Sequence, residues 1–487
     1  MSRKKGRTQL PQVMLARFEE MGLDLDQFVP ALLSYPTPSF RINPLKGEQE
    51  SVLESLSVIE PEPVGWNRLV FRANPGEVKL GNLLEHFLGQ IYVQDTSSTI
   101  PVTVLDPQPG EEILDMAAAP GSKTTQIAAA MDNKGLLLAN EVSAKRTASL
   151  TGNLDRCGVI NAVVTNQPGQ VYGHLAPERF DRILLDAPCS SEGTLSRNLR
   201  GLDIWSENSI KRLAKLQGNL ILSAYYSLRP GGLMVYSTCT FAPEENEGTV
   251  TRLLEKFPDA VIEPIELQGI NGRPGFPEWR DKTFHPSARN ILRLFPHEHD
   301  GEGFCIAKIR KPSSTVTETA KPDKRLPSKH RPGRGDAKPI EKEETGIVKK
   351  TLASLEERFG IRPESFEDFH LFIRKNDVWC STQEAGEVQF PRITRRGLRI
   401  ARAFEHSVRF TTNAVQLFGH LVTRNRIELD EQKTRLFLAG KTQDVEQPQD
   451  ASDGFVAAFN SDCALGIGLL KEGKLKSQVP RSRRVIG

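Results

Sequence analysis

Between residues 111 and 310 the chain repeats one pattern, a short apolar run followed by a longer stretch with helical spacing. The runs are "EEILDM", "GLLLAN", "INAVVT", "FDRILLD", "GGLMVYS" and "GFCIAKI". Strands that are apolar nearly throughout need cover on both faces, which predicts a mostly parallel sheet between two layers of helices. The segments between them fit. "KTTQIAAAM", "SAKRTASLTGNLDRCG", "NSIKRLAKLQGNLILSAYYSL" and "PEENEGTVTRLLEKF" read as helices. Gly158 is placed to close the second, and Pro243 with its following acids to open the fourth. The expected fold class is α/β, Rossmann-like.

The flanks differ from this core. Residues 1–100 mix short helical and strand patterns and include the polar run "PSFRINPLK", with Arg41, Asn43 and Lys46. From Lys311 to about Glu344 large apolar residues almost vanish and Pro, Lys, Ser, Thr and Glu dominate, which reads as a linker. Beyond it "TLASLEERFGI" reads as a helix, while "RIELD", "TRLFLAG", "GFVAAFN" and "LGIGLL" read as short strands of a small β-rich module. The expected division is 1–100, an α/β domain over 101–312, a basic linker over 313–345, and a C-terminal region over 346–487 whose β-rich module covers about 415–487.

Charge and cysteine content narrow the class. The net charge is only +3, but Lys308 to Lys350 holds 13 Lys/Arg against 6 Asp/Glu. "RITRRGLRIARAFEHSVR" and "KEGKLKSQVPRSRRVIG" add further basic segments. Basic surface confined to certain segments suits a polyanion such as nucleic acid. The six cysteines, at 157, 189, 239, 305, 380 and 463, include no Cys-x-x-Cys pair, so neither a disulfide scaffold nor a metal is expected. No window approaches the run of about 20 apolar residues that a membrane helix needs. The basic start "MSRKKGRTQLPQ" has no apolar stretch behind it. A cytoplasmic protein with reduced thiols and no membrane partner is expected.

Between the first strand and first helix lies "DMAAAPGSKTT", Asp115 to Thr125. Small residues there let the backbone approach a ligand, and the helix N-terminus offers free N–H groups. The next strand is expected to end in Glu141, 20 residues after Gly121, a spacing at which an acid commonly accepts hydrogen bonds from ribose hydroxyls. The loop is neither Gly-x-Gly-x-x-Gly nor a P-loop. S-adenosylmethionine is therefore favoured over a dinucleotide, and the fourth strand ends in a further acid, Asp186.

Two cysteines stand at strand ends, Cys189 in "DAPCSSEGT" and Cys239 in "STCTFAPEEN". Beside a methyl donor, a thiolate can add to carbon 6 of cytosine and make carbon 5 nucleophilic, splitting one hard step into easier ones. Cys239 is expected just before a helix N-terminus, which favours a thiolate. Amino-group methyltransferases usually carry an Asn/Asp-Pro-Pro-Tyr-like loop where "DAPC" stands, so a thiol in place of the aromatic points to a carbon target.

"LDMAAAPGSKT", "NEVSAKR", "DAPCSSEGTLSR" and "YSTCTFAPEENE", with the lead-in "GQIYVQDTSS" and the closing "DGEGFCIAKI", resemble the successive motifs of the Nol/Nop/Sun family of RNA (cytosine-5)-methyltransferases. The likeness covers roughly residues 30–312. The C-terminal "FLAG", "ALGIGLL" and "VPRSRR" resemble the PUA-like RNA-binding end of a bacterial branch acting on small-subunit ribosomal RNA. The resemblance implies a class I methyltransferase fold between an N-terminal RNA-binding subdomain and a PUA-like module. It also implies a ribosomal RNA partner, within the small subunit, and action as a monomer. Cys239 would be the nucleophile, Cys189 would assist release of product RNA, Asp186 would bind the target base and lie near the methyl donor, and Lys123 would help order the catalytic loop and base. Ala117, Ala118, Ala119, Pro120, Gly121, Ser122, Lys123, Glu141 and Asp186 would hold S-adenosylmethionine. One departure stands out. Where the family carries an acid that meets adenine, this chain has "TNQPGQ" with Pro168, which leaves that contact to the backbone or to neighbours such as Gln167. Two rivals are a non-catalytic RNA-binding assembly factor and the same chemistry on transfer RNA or large-subunit RNA. The C-terminal half is expected to add phosphate contacts and to be dispensable for the cofactor.

Overall fold

The computed structural model describes residues 10–76, 78–313, 342–404 and 408–484. Most of the expected basic linker lies outside them.

Eight strands define the part of the central sheet that concerns the site. They are β1 (Glu112–Asp115), β2 (Leu136–Asn140), β3 (Ala162–Thr165), β4 (Phe180–Asp186), β5 (Leu228–Thr238), β6 (Leu292–Leu294), β7 (Phe304–Arg310) and β8 (Ile393–Arg396). Their order is β6-β7-β5-β4-β1-β2-β3-β8, and β1 to β5 run parallel. The order reverses between β1 and β4, and ligands bind the crevice at such a point.

Alternating side chains explain why these runs are apolar throughout. Leu114, Leu136, Leu138, Val163, Ile183 and Leu185 share one core with Leu220, Ile221 and Ala224 of helix Glu207–Ser227. Ile113, Leu137, Ala139, Val164 and Leu184 share the other with Ile127, Ala128, Leu150 and Leu154. The latter four lie on α1 (Ser122–Ala130) and α2 (Ala144–Arg156). A period of two puts neighbours on opposite faces, and both faces are covered. Ser143 caps α2 by accepting from Arg146 N, and Gly158 lies just beyond it at φ +71°.

A four-stranded antiparallel sheet precedes the central one, ordered Glu62–Val64, Asn67–Arg72, Ser39–Ile42, Ile91–Val93. Its polar run is a joint between parts. Arg41 donates to Thr125 Oγ1 (3.1 Å), Asn43 to the carbonyls of Gly89 (2.8 Å) and Cys157 (3.0 Å), and Lys46 to the Gln416 carbonyl (2.6 Å).

The C-terminal region holds a four-stranded and a five-stranded sheet. It departs from expectation in three places. "TRLFLAG" falls in and just after helix Glu431–Leu438, because Asp430 caps it through Lys433 N (2.8 Å) and Thr434, Phe437 and Leu438 bury one helical face. Within "RITRRGLRIARAFEHSVR", Arg395 and Arg396 are buried. Arg395 donates to Asp155 (2.7 Å) and to the Thr151 carbonyl (2.9 Å). This same stretch supplies β8, which pairs antiparallel with β3, so the C-terminal half completes the central sheet rather than hanging from it. No helix among the described residues is long and apolar enough to cross a membrane.

Candidate active site

The loop after β1 runs from Met116 to Gly121. Ala118 N donates to the Asn140 carbonyl (2.8 Å), which binds the loop to the end of β2. Gly121 takes φ +107° as α1 begins, and a Cβ there would meet Leu150 Cδ1 at 3.1 Å. Only glycine suits both the backbone and the close approach. Asp115 is buried at the start of the loop and accepts from Thr124 Oγ1 at 2.6 Å. Burial, with a smaller push from the Asp186 charge, raises its carboxyl to about 7.

Glu141 follows β2 and is 2% exposed. Its Oε1 accepts from Ser143 N (2.8 Å), while the buried Oε2 accepts no hydrogen bond. The Arg146 guanidinium lies 3.5 Å from that oxygen and also donates to the Ala119 carbonyl. An unsatisfied buried carboxylate oxygen fits a site for a ribose hydroxyl, because leaving it unpaired costs free energy that a ligand donor would recover.

Register brings the other groups together. Asp186 at the end of β4 pairs with Ser237 near the end of β5, so both chains leave the sheet side by side. Ser237 Oγ donates to Asp186 Oδ1 (2.7 Å), and Lys123 Nζ donates to Asp186 Oδ2 (2.8 Å) and Ser98 Oγ (3.2 Å). Burial opposes the charge of Lys123. The Asp186 carboxylate outweighs it, with help from Cys239, and holds the ammonium above its ordinary value. Beyond these strand ends the Sγ atoms of Cys189 and Cys239 lie 3.3 Å apart. The contact with Cys239, then burial, pushes the Cys189 thiol well above its usual range.

The expected helix N-terminus at Cys239 is displaced. That helix is Glu247–Lys256, and Thr240 to Asn246 form a loop before it. Buried polar groups make the loop. Asn246 Nδ2 donates to the Thr240 carbonyl (3.0 Å), and Thr238 Oγ1 donates to Asn246 Oδ1 (2.6 Å). A helix dipole therefore does not act on Cys239 from the adjoining residue.

Two acids missed in the sequence hold the paired loops. Glu192 accepts from Trp205 Nε1 (2.8 Å), Thr240 Oγ1 (2.9 Å) and Phe241 N (3.1 Å). Glu245 accepts from Ser190 N (3.1 Å) and Gln217 Nε2 (2.6 Å), and burial raises it to about 7. Both lie inside the motifs, three residues past Cys189 and six past Cys239, but nothing in their spacing marks them as cross-links. Gly193 packs on Gly303 so tightly that a Cβ would come 2.3 Å from the Gly303 carbonyl oxygen. Gln167 Nε2 donates to the Pro391 carbonyl (2.9 Å), while its buried Oε1 accepts no hydrogen bond.

The fold and this crevice define an S-adenosylmethionine-dependent methyltransferase. A family model described as 16S rRNA methyltransferase RsmB/F matches residues 102–310, and one described as Methyltransferase RsmF PUA domain matches residues 424–485. The chain is 35% identical to the ribosomal RNA small subunit methyltransferase F of Aeromonas salmonicida, over 94% of this chain and 93% of that one. It is 34% identical to the protein so named in Vibrio campbellii, over 97% of each. A solved methyltransferase homolog protein from Pyrococcus horikoshii superposes with a TM-score of 0.53 and 33% identity, over 62% of this chain and 100% of that one. The chain belongs to the family of ribosomal RNA small subunit methyltransferase F.

Proposed function

We propose that the chain methylates carbon 5 of one cytosine in 16S ribosomal RNA of the small subunit, through a covalent bond between Cys239 and carbon 6. The observation that carries this is the pair of thiols in contact, two residues beyond Ser237 and three beyond Asp186. A binder that only docked RNA would need neither sulfur. S-adenosylmethionine, held by Ala117 to Lys123, Glu141 and Asp186, supplies an electrophilic methyl group when bound.

The chain's residues do the rest. Cys239, as thiolate, adds its electron pair to carbon 6, and the ring electrons shift so that carbon 5 becomes the nucleophile. Asp186 and Lys123 orient the ring by hydrogen bonds at its N3 and exocyclic edge. Once carbon 5 carries the methyl group, a base removes its remaining proton. The electrons left behind re-form the 5,6 double bond and expel the Cys239 sulfur. Cys189, with its Sγ 3.3 Å from that of Cys239, assists that departure, because its S–H can hydrogen-bond the leaving sulfur. Residues up to 100 and from 346 on supply the RNA-binding surface, joined by the basic segment 313–345.

The test is nucleoside analysis of small ribosomal subunits incubated with enzyme and S-adenosylmethionine. 5-Methylcytidine should appear with wild-type protein and not with Cys239→Ala. Methyl transfer to an amino group or ribose instead would overturn the reading.

A further inference from the structure

β8 belongs to the C-terminal half, yet it borders the cofactor crevice. Its first residue, Ile393, faces Thr165, the last residue of β3, and the two strands are antiparallel. Phe390 to Arg392 therefore pass the end of β3 and lie on the segment Asn166–Gly169. Asn166 N donates to the Arg392 carbonyl (3.2 Å), and Gln167 Nε2 to the Pro391 carbonyl (2.9 Å). The Phe390 ring stacks on Tyr172 with centroids 5.4 Å apart.

From there two hydrogen-bonded routes reach the cofactor residues. Asn166 Nδ2 donates to the Glu141 carbonyl (2.6 Å). The Tyr172 hydroxyl and Thr165 Oγ1 share a bond of 2.6 Å, and Thr165 Oγ1 donates to Asn140 Oδ1 (3.1 Å). Asn140 Nδ2 in turn donates to the carbonyls of Met116 and Gln167, both at 3.0 Å. Met116 opens the Ala-Ala-Ala-Pro loop. Pro168, in the middle of the segment, brings no side-chain acceptor, whereas the neighbouring Gln167 keeps a buried Oε1 without a hydrogen-bond partner.

We propose that Phe390–Arg396 is a positioning element for the adenosine half of S-adenosylmethionine, so that the C-terminal half takes part in cofactor binding and not in RNA binding alone. The inference rests on the crevice beside Glu141 being the cofactor site. It acts through position: these residues set the backbone of Asn166–Gly169 and of Glu141, which would otherwise lose a wall at the open edge of β3.

Calorimetry and steady-state kinetics on full-length Phe390→Ala and Gln167→Leu test this. Phe410→Ala, a truncation in the separate C-terminal core, serves as the control for simple destabilisation. The expected result is a dissociation constant and KM for S-adenosylmethionine about tenfold higher in both crevice variants. KM for RNA and kcat at saturating cofactor should stay within about twofold, a split that general loss of stability would not produce. Phe410→Ala should lower the melting temperature and leave cofactor affinity alone. Unchanged cofactor affinity in both crevice variants, or equal weakening in Phe410→Ala, overturns the proposal. Wild-type protein that fails to bind S-adenosylmethionine would overturn the cofactor reading and this inference with it.

Discussion

The sulfurs of Cys189 and Cys239 touch at 3.3 Å across fifty residues of sequence because β4 and β5 are parallel neighbours that end in register. Two thiols in contact cannot both ionise readily, since the second charge would face the first. The Cys239 contact and burial push the Cys189 thiol up. The roles should therefore separate on mutation. Cys239→Ala cannot form the bond to carbon 6 and should leave RNA free. Cys189→Ala can form it but resolves it slowly, and should accumulate a protein–RNA adduct visible on a denaturing gel. The double variant should show none. An adduct from Cys239→Ala alone reverses the assignment.

Glu141 should matter to the cofactor. Its buried Oε2 accepts no hydrogen bond from the chain, while Oε1 accepts from Ser143 N (2.8 Å). Glu141→Ala should weaken S-adenosylmethionine binding by about 1–3 kcal/mol, the worth of a charge-assisted hydrogen bond. Calorimetry decides it, and equal affinity in a folded variant would remove Glu141 from the site.

Asp115 makes stability depend on pH in an unusual sense. Its folded carboxyl titrates at about 7 against an ordinary value of 3.8. The native state thus holds a proton that the unfolded chain gives up, and stability falls as pH rises from about 4 to about 7. Asp115→Asn mimics the protonated form and should flatten that part of the profile. Denaturant melts of both proteins at pH 4.5 and 7 measure it. Parallel profiles would show that Asp115 ionises freely.

The buried pair Arg293–Glu247 supports the Thr-Cys loop from behind. Nitrogen and oxygen lie 2.6 Å apart with side chains 1% and 0% exposed, and Arg293 also donates to the Phe241 carbonyl. Removing one partner strands the other charge. Glu247→Ala should cost about 3–5 kcal/mol in denaturant unfolding. A loss below about 1 kcal/mol would mean that water reaches the site.

Lys471, Lys474 and Lys476 stand exposed on the last hairpin of the C-terminal module. If that face meets RNA, their joint replacement by alanine should reduce the slope of log affinity against log salt by about 0.7–0.9 for each phosphate no longer neutralised. S-adenosylmethionine affinity should not change. An unaltered slope would place the RNA on another face.

Much of the central domain was legible in sequence because its signals are local. β4 spans the same residues as the run "FDRILLD", and α2 ends just before Gly158 as expected. The two cysteine motifs and the Ala-Ala-Ala-Pro loop were marked by residue type alone. Glu192 and Glu245 were not, since a buried acid with distant donors looks in sequence like any surface acid. Arg395 and Arg483 were read as basic surface for the same reason. Arg483 is turned inward to Gln416 (3.0 Å) and to the Phe87 carbonyl.

By itself the sequence determined the parallel α/β core, the small-residue loop, the acid that follows the second strand and the two thiols, because apolar periodicity and residue chemistry are properties of the chain read locally. Only the tertiary structure decided that the thiols touch, that Lys123 pairs with Asp186, and that β8 joins the central sheet. Those facts depend on strand register and on pairing between residues more than two hundred positions apart, and hydrogen bonds between backbones carry no side-chain signature along the chain.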